Sequence, residues 1–194
     1  MEKKTSGEQK QRVAVFIDGS NFYYKLRDLH IPNITYFQYG NFSTWLPRGR
    51  QPVTKKYYVG VVRALDNDEK GQKMRQNQVR LFNHLASQKN GFVIERGYIM
   101  HHDGAFYEKG VDVKLAVDIV VGAYENLYDV AIVVSSDTDL IPAVQKVKAL
   151  GKEVEYVGFA HKPSFGMQKH ATLSKLLLKD EIIPFVFAQS MRNE

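Results

Sequence analysis

Strands alternating with helices along most of the chain predict an α/β domain, a three-layer sandwich whose mostly parallel central sheet is covered on both faces. Three observations carry this prediction. Apolar runs recur at Val13–Ile17, Tyr57–Val62, Phe92–Glu95, Val130–Val134 and Glu153–Val157. Between them lie segments with apolar residues at helical spacing, as in Met74, Leu81, Phe82 and Leu85. Two of the runs, Val13–Asn21 and Ala131–Leu140, pass straight from apolar residues into aspartate, which in a doubly wound sheet sets carboxylates at one edge.

Taken in order, Val13–Ile17 reads as a buried first strand feeding a helix over Asn21–Leu29, with Ser20 or Asn21 suited to cap it. Residues 30–56 hold Pro32, Pro47, Gly49 and Pro52 among aromatics, and predict an insertion loop with a short helix near Phe42–Leu46. A second strand at Tyr57–Val62 and a polar turn at Asp66–Glu69 precede a long helix over Lys70–Ser87. Asn90-Gly91 stops that helix before the third strand, Phe92–Glu95. A loop with His101-His102-Asp103-Gly104 leads to an apolar helix over Lys109–Val121. The fourth strand is Val130–Val134, followed by a helix over Leu140–Leu150 that ends at Gly151, and the fifth is Glu153–Val157. A last helix is predicted over Phe165–Leu178, with a short strand or tail at Ile182–Phe185. Winding outward from the centre and back gives the strand order 3-2-1-4-5.

The 194 residues suit one generous core, and the expected division is a basic tail over 1–12, one domain over 13–187 and a short tail over 188–194. Of the net charge of +6, the first twelve residues supply +2, so the body keeps +4. A basic body around an acidic edge suits a polyanion drawn to carboxylates through bound metal. With no cysteine, disulfides and thiolate chemistry are excluded. No run is long enough to span a membrane and the first residues lack the apolar stretch of a signal peptide, so a cytoplasmic protein is expected, its oligomeric state left open.

Topology nominates the ligand-binding edge. The strand order reverses between strands one and four, where ligands bind in open α/β sheets, and Asp18 and Asp137 leave those two strands. Asp112 sits in the first turn of a crossover helix that starts at the same edge. Either Asp137 or Asp139 alone reads as a helix cap. Asp18, Asp112, Asp137 and Asp139 together read as a metal site, and their hard oxygens favour Mg²⁺ or Mn²⁺ over zinc. Asn21, one turn from Asp18, suits either orienting a water or phosphate or capping the helix. Asp118 lies well around the helix from Asp112, in an apolar run, and needs a partner. A structural hydrogen bond and an outer ligand both fit, and the supporting role is expected. The adjacent histidines at 101 and 102 are expected to be solvated. Arg48, Arg50, Lys55 and Lys56, with Lys109, could follow phosphates, and Tyr36, Phe37, Tyr39 and Trp45 could stack bases or pack as core.

The series Phe16-Ile-Asp-Gly-Ser-Asn21, Lys109-Gly-Val-Asp-Val-Lys-Leu-Ala-Val-Asp118 and Ser135-Ser-Asp-Thr-Asp-Leu140, followed by Gly151-Lys-Glu-Val, resembles the NYN domain and its bacterial LabA-like branch, within the PIN-like nucleases. The resemblance runs from Val13 to about Phe187 and implies a Rossmann-like, PIN-like fold. It further implies a Mg²⁺- or Mn²⁺-dependent ribonuclease, RNA being favoured over DNA, with Asp18, Asp112, Asp137 and Asp139 as the acidic quartet. Asn21 matches the asparagine after the first aspartate, and Asp118 a recurring acidic position. Ser136 stands where relatives often carry glycine, a departure expected to alter the loop slightly. Two other functions compete. One is a catalytically idle module that binds metal and nucleic acid. The other, a haloacid-dehalogenase-like phosphatase, needs a second aspartate two positions after the first, where this chain has Ser20.

Overall fold

Strand β1 (Val13–Asp18) is buried along its whole length, as a strand covered on both faces must be. The structure, a computed structural model, describes residues 11–62, 68–87, 89–102 and 105–186, with the backbone alone for 98–102 and 105–108. From β1 the chain enters α1 (Gly19–Asp28), a 3-10 turn at Ile34–Tyr36 and α2 (Tyr39–Trp45) before β2 (Pro52–Val61). Helix α3 (Glu69–Ala86) leads to β3 (Val93–His102), which pairs back with β4 (Ala105–Lys109). Then follow α4 (Val111–Tyr124), β5 (Val130–Val134), a 3-10 turn at Thr138–Leu140, α5 (Ile141–Ala149) and β6 (Glu153–Phe159). The described chain ends with α6 (Phe165–His170), β7 (Leu173–Leu177), α7 (Lys179–Ile182) and a 3-10 turn at Ile183–Phe185.

The sheet order is β4-β3-β2-β1-β5-β6-β7, parallel throughout except where β4 runs against β3. Its inner five strands reproduce the predicted 3-2-1-4-5 winding, and each edge gains one strand. The predicted loop after Glu95 is instead a hairpin of β3 and β4. Asp103 and Gly104 lie outside the described residues, as do Asp66 and Asn67 of the predicted turn at 66–69, whose Asp68 caps α3 by accepting from the Gly71 N–H at 2.9 Å. The predicted helix over 165–178 stops at His170. Leu173–Leu177 joins the sheet because the outer edge of β6 offers a full row of backbone partners, from Glu155 opposite Leu173 to Phe159 opposite Leu177. Such tertiary pairing overrides the helical preference of a Leu- and Lys-rich segment. Ile182–Phe185 is helical rather than strand, and β2 begins five residues earlier than expected, at Pro52.

Two cores flank the sheet. Phe22, Leu26, Phe37, Tyr39, Phe42 and Leu85 fill one face, and Leu115, Ile119, Val144, Val147 and Met167 fill the other. The segment read as an insertion loop is thus mostly interior: the Phe22 ring stands 5.4 Å from Phe37 and 5.3 Å from Phe42. Trp45 closes this face against Phe185, with the Lys175 ammonium 3.7 Å above its ring. Gly19 lets α1 start hard against β2, since a Cβ there would lie 2.4 Å from Tyr57 Cε1 and 2.6 Å from the Tyr58 carbonyl oxygen. Among the described residues no helix is long and apolar enough to cross a membrane.

At the amino edge the starts of β1 and β5 are clamped together. The Arg12 backbone N–H donates to Asp129 Oδ2 at 2.9 Å, its guanidinium to Oδ1 at 2.9 Å, and Lys152 Nζ reaches Oδ1 at 3.2 Å. Bonding from the Arg12 guanidinium, then from its backbone N–H, holds the Asp129 carboxyl well below the usual carboxylate range. A lowered folded-state value stabilises the fold above the unfolded pKa of about 3.9 and ceases to do so as pH falls below it toward the folded value. Asp129→Asn is therefore expected to lower the melting temperature near neutrality, and melts repeated toward pH 3 should show the gap closing. A gap independent of pH would assign the effect to packing instead.

Candidate active site

Because β2 and β3 lie on one side of β1 and β5, β6 and β7 on the other, the order reverses between β1 and β5, and a crevice opens beyond their carboxyl ends. Asp18 ends β1 there, 4 % exposed. Its Oδ1 accepts the Asn21 backbone N–H at 3.0 Å, which caps α1, so the cap is Asp18 rather than Ser20 or Asn21. Oδ2 accepts the Ser135 hydroxyl at 2.7 Å.

Ser135 lies one position beyond Val134, the partner of Ile17 in the last paired row of β1 and β5. Its Oγ in turn accepts the Asp137 N–H at 3.2 Å, and Asp137 Oδ1 accepts the Asp139 N–H at 2.9 Å, capping the 3-10 turn. Asn21 Oδ1 accepts the Ser136 N–H at 3.2 Å. Ser136 Oγ lies 3.1 Å from the Tyr156 hydroxyl, which accepts the Ser164 N–H at 3.1 Å and ties the loop to β6. Asp18, Asn21, Ser135, Ser136, Asp137 and Asp139 therefore form one connected network between the two loops. Ser135 was missed from sequence, although an apolar strand that ends in a hydroxyl beside an aspartate-ended strand is a usable signal.

Capping and metal binding are not exclusive for these side chains. A carboxylate oxygen can accept more than one bond, and the cap of α1 and the Ser135 hydroxyl fix the orientation of Asp18. Hard oxygen donors held in this way suit a divalent cation. Among the described residues, no three His, Asp or Glu side chains are gathered closely enough to hold an ion.

Asp112 occupies the exposed side of the first turn of α4. That turn is fixed by Gly97, where a Cβ would meet Val111 Cγ2 at 2.3 Å and the Lys109 carbonyl oxygen at 2.8 Å. Helix α4 also packs against the 3-10 turn that carries Asp139.

Asp118 points elsewhere. Its Oδ2 accepts from Lys56 Nζ and from the Tyr58 hydroxyl, both at 2.8 Å, while Lys56 also meets Glu95 at 3.2 Å and Glu95 meets Lys114 at 2.6 Å. The group locks α4 onto β2 and β3. Burial, and then the bond to Asp118, push the Tyr58 hydroxyl far above its ordinary pKa. For Lys56, burial is the largest influence and lowers the pKa, but Asp118 and Glu95 together outweigh it, and the ammonium is held above its usual value.

The basic residues singled out from sequence do not line the crevice as a group. Arg50 pairs with Glu155 at 2.7 Å and reaches Gln11 ahead of β1, at the amino edge, where Arg48 also precedes β2. Lys55 donates to the Asn90 carbonyl and Lys56 belongs to the Asp118 group. Lys109, exposed at the end of β4 just ahead of α4, is the one placed at the carboxyl edge. Phe37 and Tyr39 are core, each 1 % exposed, and Tyr36 is 41 % exposed. Accessible aromatics near the site come from elements not singled out: Tyr23 and Tyr24 on α1, and Phe165, 79 % exposed, at the start of α6.

Sheet order and carboxylate loops together define a doubly wound α/β domain with an acidic switch point. The NYN domain model matches residues 12–174, and the chain belongs to the NYN domain family. No curated protein matches it. Among solved structures, a protein of unknown function from Vibrio parahaemolyticus is 21 % identical, with a TM-score of 0.62 over 93 % of this chain and 99 % of that one. A zinc-bound 5′-exonuclease of bacteriophage T5 is 14 % identical, with a TM-score of 0.43 over 82 % of this chain and 60 % of its own. A flap endonuclease of the same phage, in a complex with DNA and metal ions, is 15 % identical at a TM-score of 0.44, with the same coverage.

Proposed function

We propose that this chain is a metal-dependent nuclease of the LabA-like branch, an endoribonuclease that hydrolyses phosphodiester bonds of single-stranded RNA. The observation that carries the reading is the buried Asp18 carboxylate, fixed at the switch point by Asn21 and Ser135 and linked through Ser135 to Asp137 and Asp139. Membership of the NYN family supports it. Asp18, Asp112, Asp137 and Asp139 are the residues that would hold Mg²⁺ or Mn²⁺. When bound, such an ion supplies an activated water and neutralises charge on the phosphate.

The chain's own residues do the positioning. The Ser135 hydroxyl and the Asn21 N–H fix the orientation of the Asp18 carboxylate. Asn21 and Ser136 hold the two loops at a fixed separation, and Lys109 adds positive charge at the same edge for the RNA backbone. Products with a 5′ phosphate and a 3′ hydroxyl are expected from water attack, whereas a cyclic phosphate would mark attack by the 2′ hydroxyl. Incubating the protein with labelled single-stranded RNA in Mg²⁺, Mn²⁺ or chelator tests the reading. Cleavage in both metals and none in chelator is expected, and metal-independent cleavage would overturn it.

The competing reading is a module that binds metal and nucleic acid at the same edge without cutting. Tight RNA binding with no product in either metal would select it.

A further inference from the structure

We infer that the cleft between α1, α3 and the end of β2 takes one unstacked nucleobase of the strand whose phosphate lies at the carboxylate edge. This rests on the nucleic-acid reading of that edge. The cleft holds about 330 Å³, within the range of ~300 to 1,000 Å³ usual for small-ligand sites. Gly19 and Ser20, the two residues after Asp18, form part of its wall. The cleft therefore opens beside the end of β1, next in the chain to Asp18.

The lining has the character of a base site. Tyr23 and Tyr24 stand at the mouth, 44 % and 51 % exposed, with ring centroids 5.6 Å apart and planes crossed at 76°. Met74, 39 % exposed, lines the cleft from α3, and Tyr57 and Val59 contribute buried surface from β2. These surfaces suit the apolar face of a heterocycle. A base also carries a polar edge, and α3 offers two amides. Gln78 is committed, since its Nε2 donates to the Gly60 carbonyl at 2.7 Å and its Oε1 accepts the Val62 N–H at 2.9 Å, which holds the wall in place. Asn77 is the exposed amide on the lining, able to donate to and accept from a base edge. The Arg27 guanidinium lies 4.7 Å from the centre of the Tyr24 ring, so the mouth also carries a cation for the strand's phosphates.

A base can enter only when unpaired and turned out of its stack, so an occupied cleft favours single strands over duplex. The test is fluorescence anisotropy with a labelled single-stranded RNA and a series of the same oligonucleotide carrying one abasic ribose at each position in turn, with Ca²⁺ present. Wild-type protein is expected to lose affinity at one abasic position by roughly 5- to 100-fold, the scale of one stacked base. Met74→Trp, which fills the cleft, and Tyr23→Ala, at an exposed helical position, should weaken binding of the intact RNA similarly and become insensitive to that abasic site. An abasic series that is flat for the wild type overturns the proposal without recourse to any variant. Folded variants that bind the intact RNA as the wild type does overturn it as well.

Cleavage in Mg²⁺, followed in parallel, separates this proposal from the nuclease reading. Cutting with a flat abasic series removes the cleft and keeps the nuclease. Abasic-sensitive binding without cutting keeps the cleft and removes the nuclease.

Discussion

Asp137→Asn is expected to reduce metal-dependent RNA cleavage by ~100-fold or more, since loss of even an outer partner of a metal ligand typically costs 10- to 100-fold. The fold should survive. Asparagine caps a helix about as well as aspartate, so the bond from the Asp139 N–H to position 137 can persist, and Asp137 is only partly buried. What disappears is the negative charge on which a cation depends. Single-turnover cleavage in Mg²⁺, with a thermal melt as the control for folding, decides the matter, and a folded variant that cuts at the wild-type rate would remove Asp137 from the site.

The second large effect belongs to Asp118, and it falls on stability rather than on metal. Its carboxylate serves Lys56 and Tyr58 with side chains only 26 % exposed for Lys56 and 21 % for Asp118. Asp118→Asn keeps an acceptor for Tyr58 but withdraws the charge facing the Lys56 ammonium. The expected loss is about 1 to 3 kcal/mol, the worth of a hydrogen bond to a charged group and of an acceptor left poorly matched. Denaturant titration should show it as a lower midpoint at unchanged slope. Mn²⁺ affinity should fall less than it does in Asp112→Asn, and a larger fall at position 118 would place that carboxylate on the ion.

Much of this architecture was legible because its cues are local. A strand buried on both faces must be apolar throughout, as Val13–Ile17 and Val130–Val134 are, and the polar residues that follow mark the sheet edge, where Asp18 comes one position and Asp137 three positions beyond the apolar run. Cues that depend on a partner were harder to see. Leu173–Leu177 is a strand because β6 has an unfilled edge, a fact that no window around residue 173 contains. The Ser135 hydroxyl matters because Asp18 lies across from it, more than a hundred residues away in the chain. Arg48 and Arg50 lead into a strand parallel to β1 and so sit at its amino end, away from the carboxylates, a placement that only the pairing of the two strands reveals. The β3–β4 hairpin does carry a local signal, since Asp103-Gly104 between runs rich in aromatic and apolar residues is a tight-turn signature.

The network between β1 and β5 also has a consequence for how the loops breathe. Amides of Asn21, Ser136, Asp137 and Asp139 lie outside any ladder of sheet bonds, yet each donates to a side chain of the same connected group. Turning the Ser135 hydroxyl away releases an oxygen of Asp18 and the amide of Asp137 in a single event. Deuterium should therefore enter these amides as a cooperative unit with a common opening free energy, rather than at the independent rates of ordinary surface loops. A ligand that grips only the Asp18 carboxylate would slow exchange at Asp139 as well, because the two loops open together or not at all.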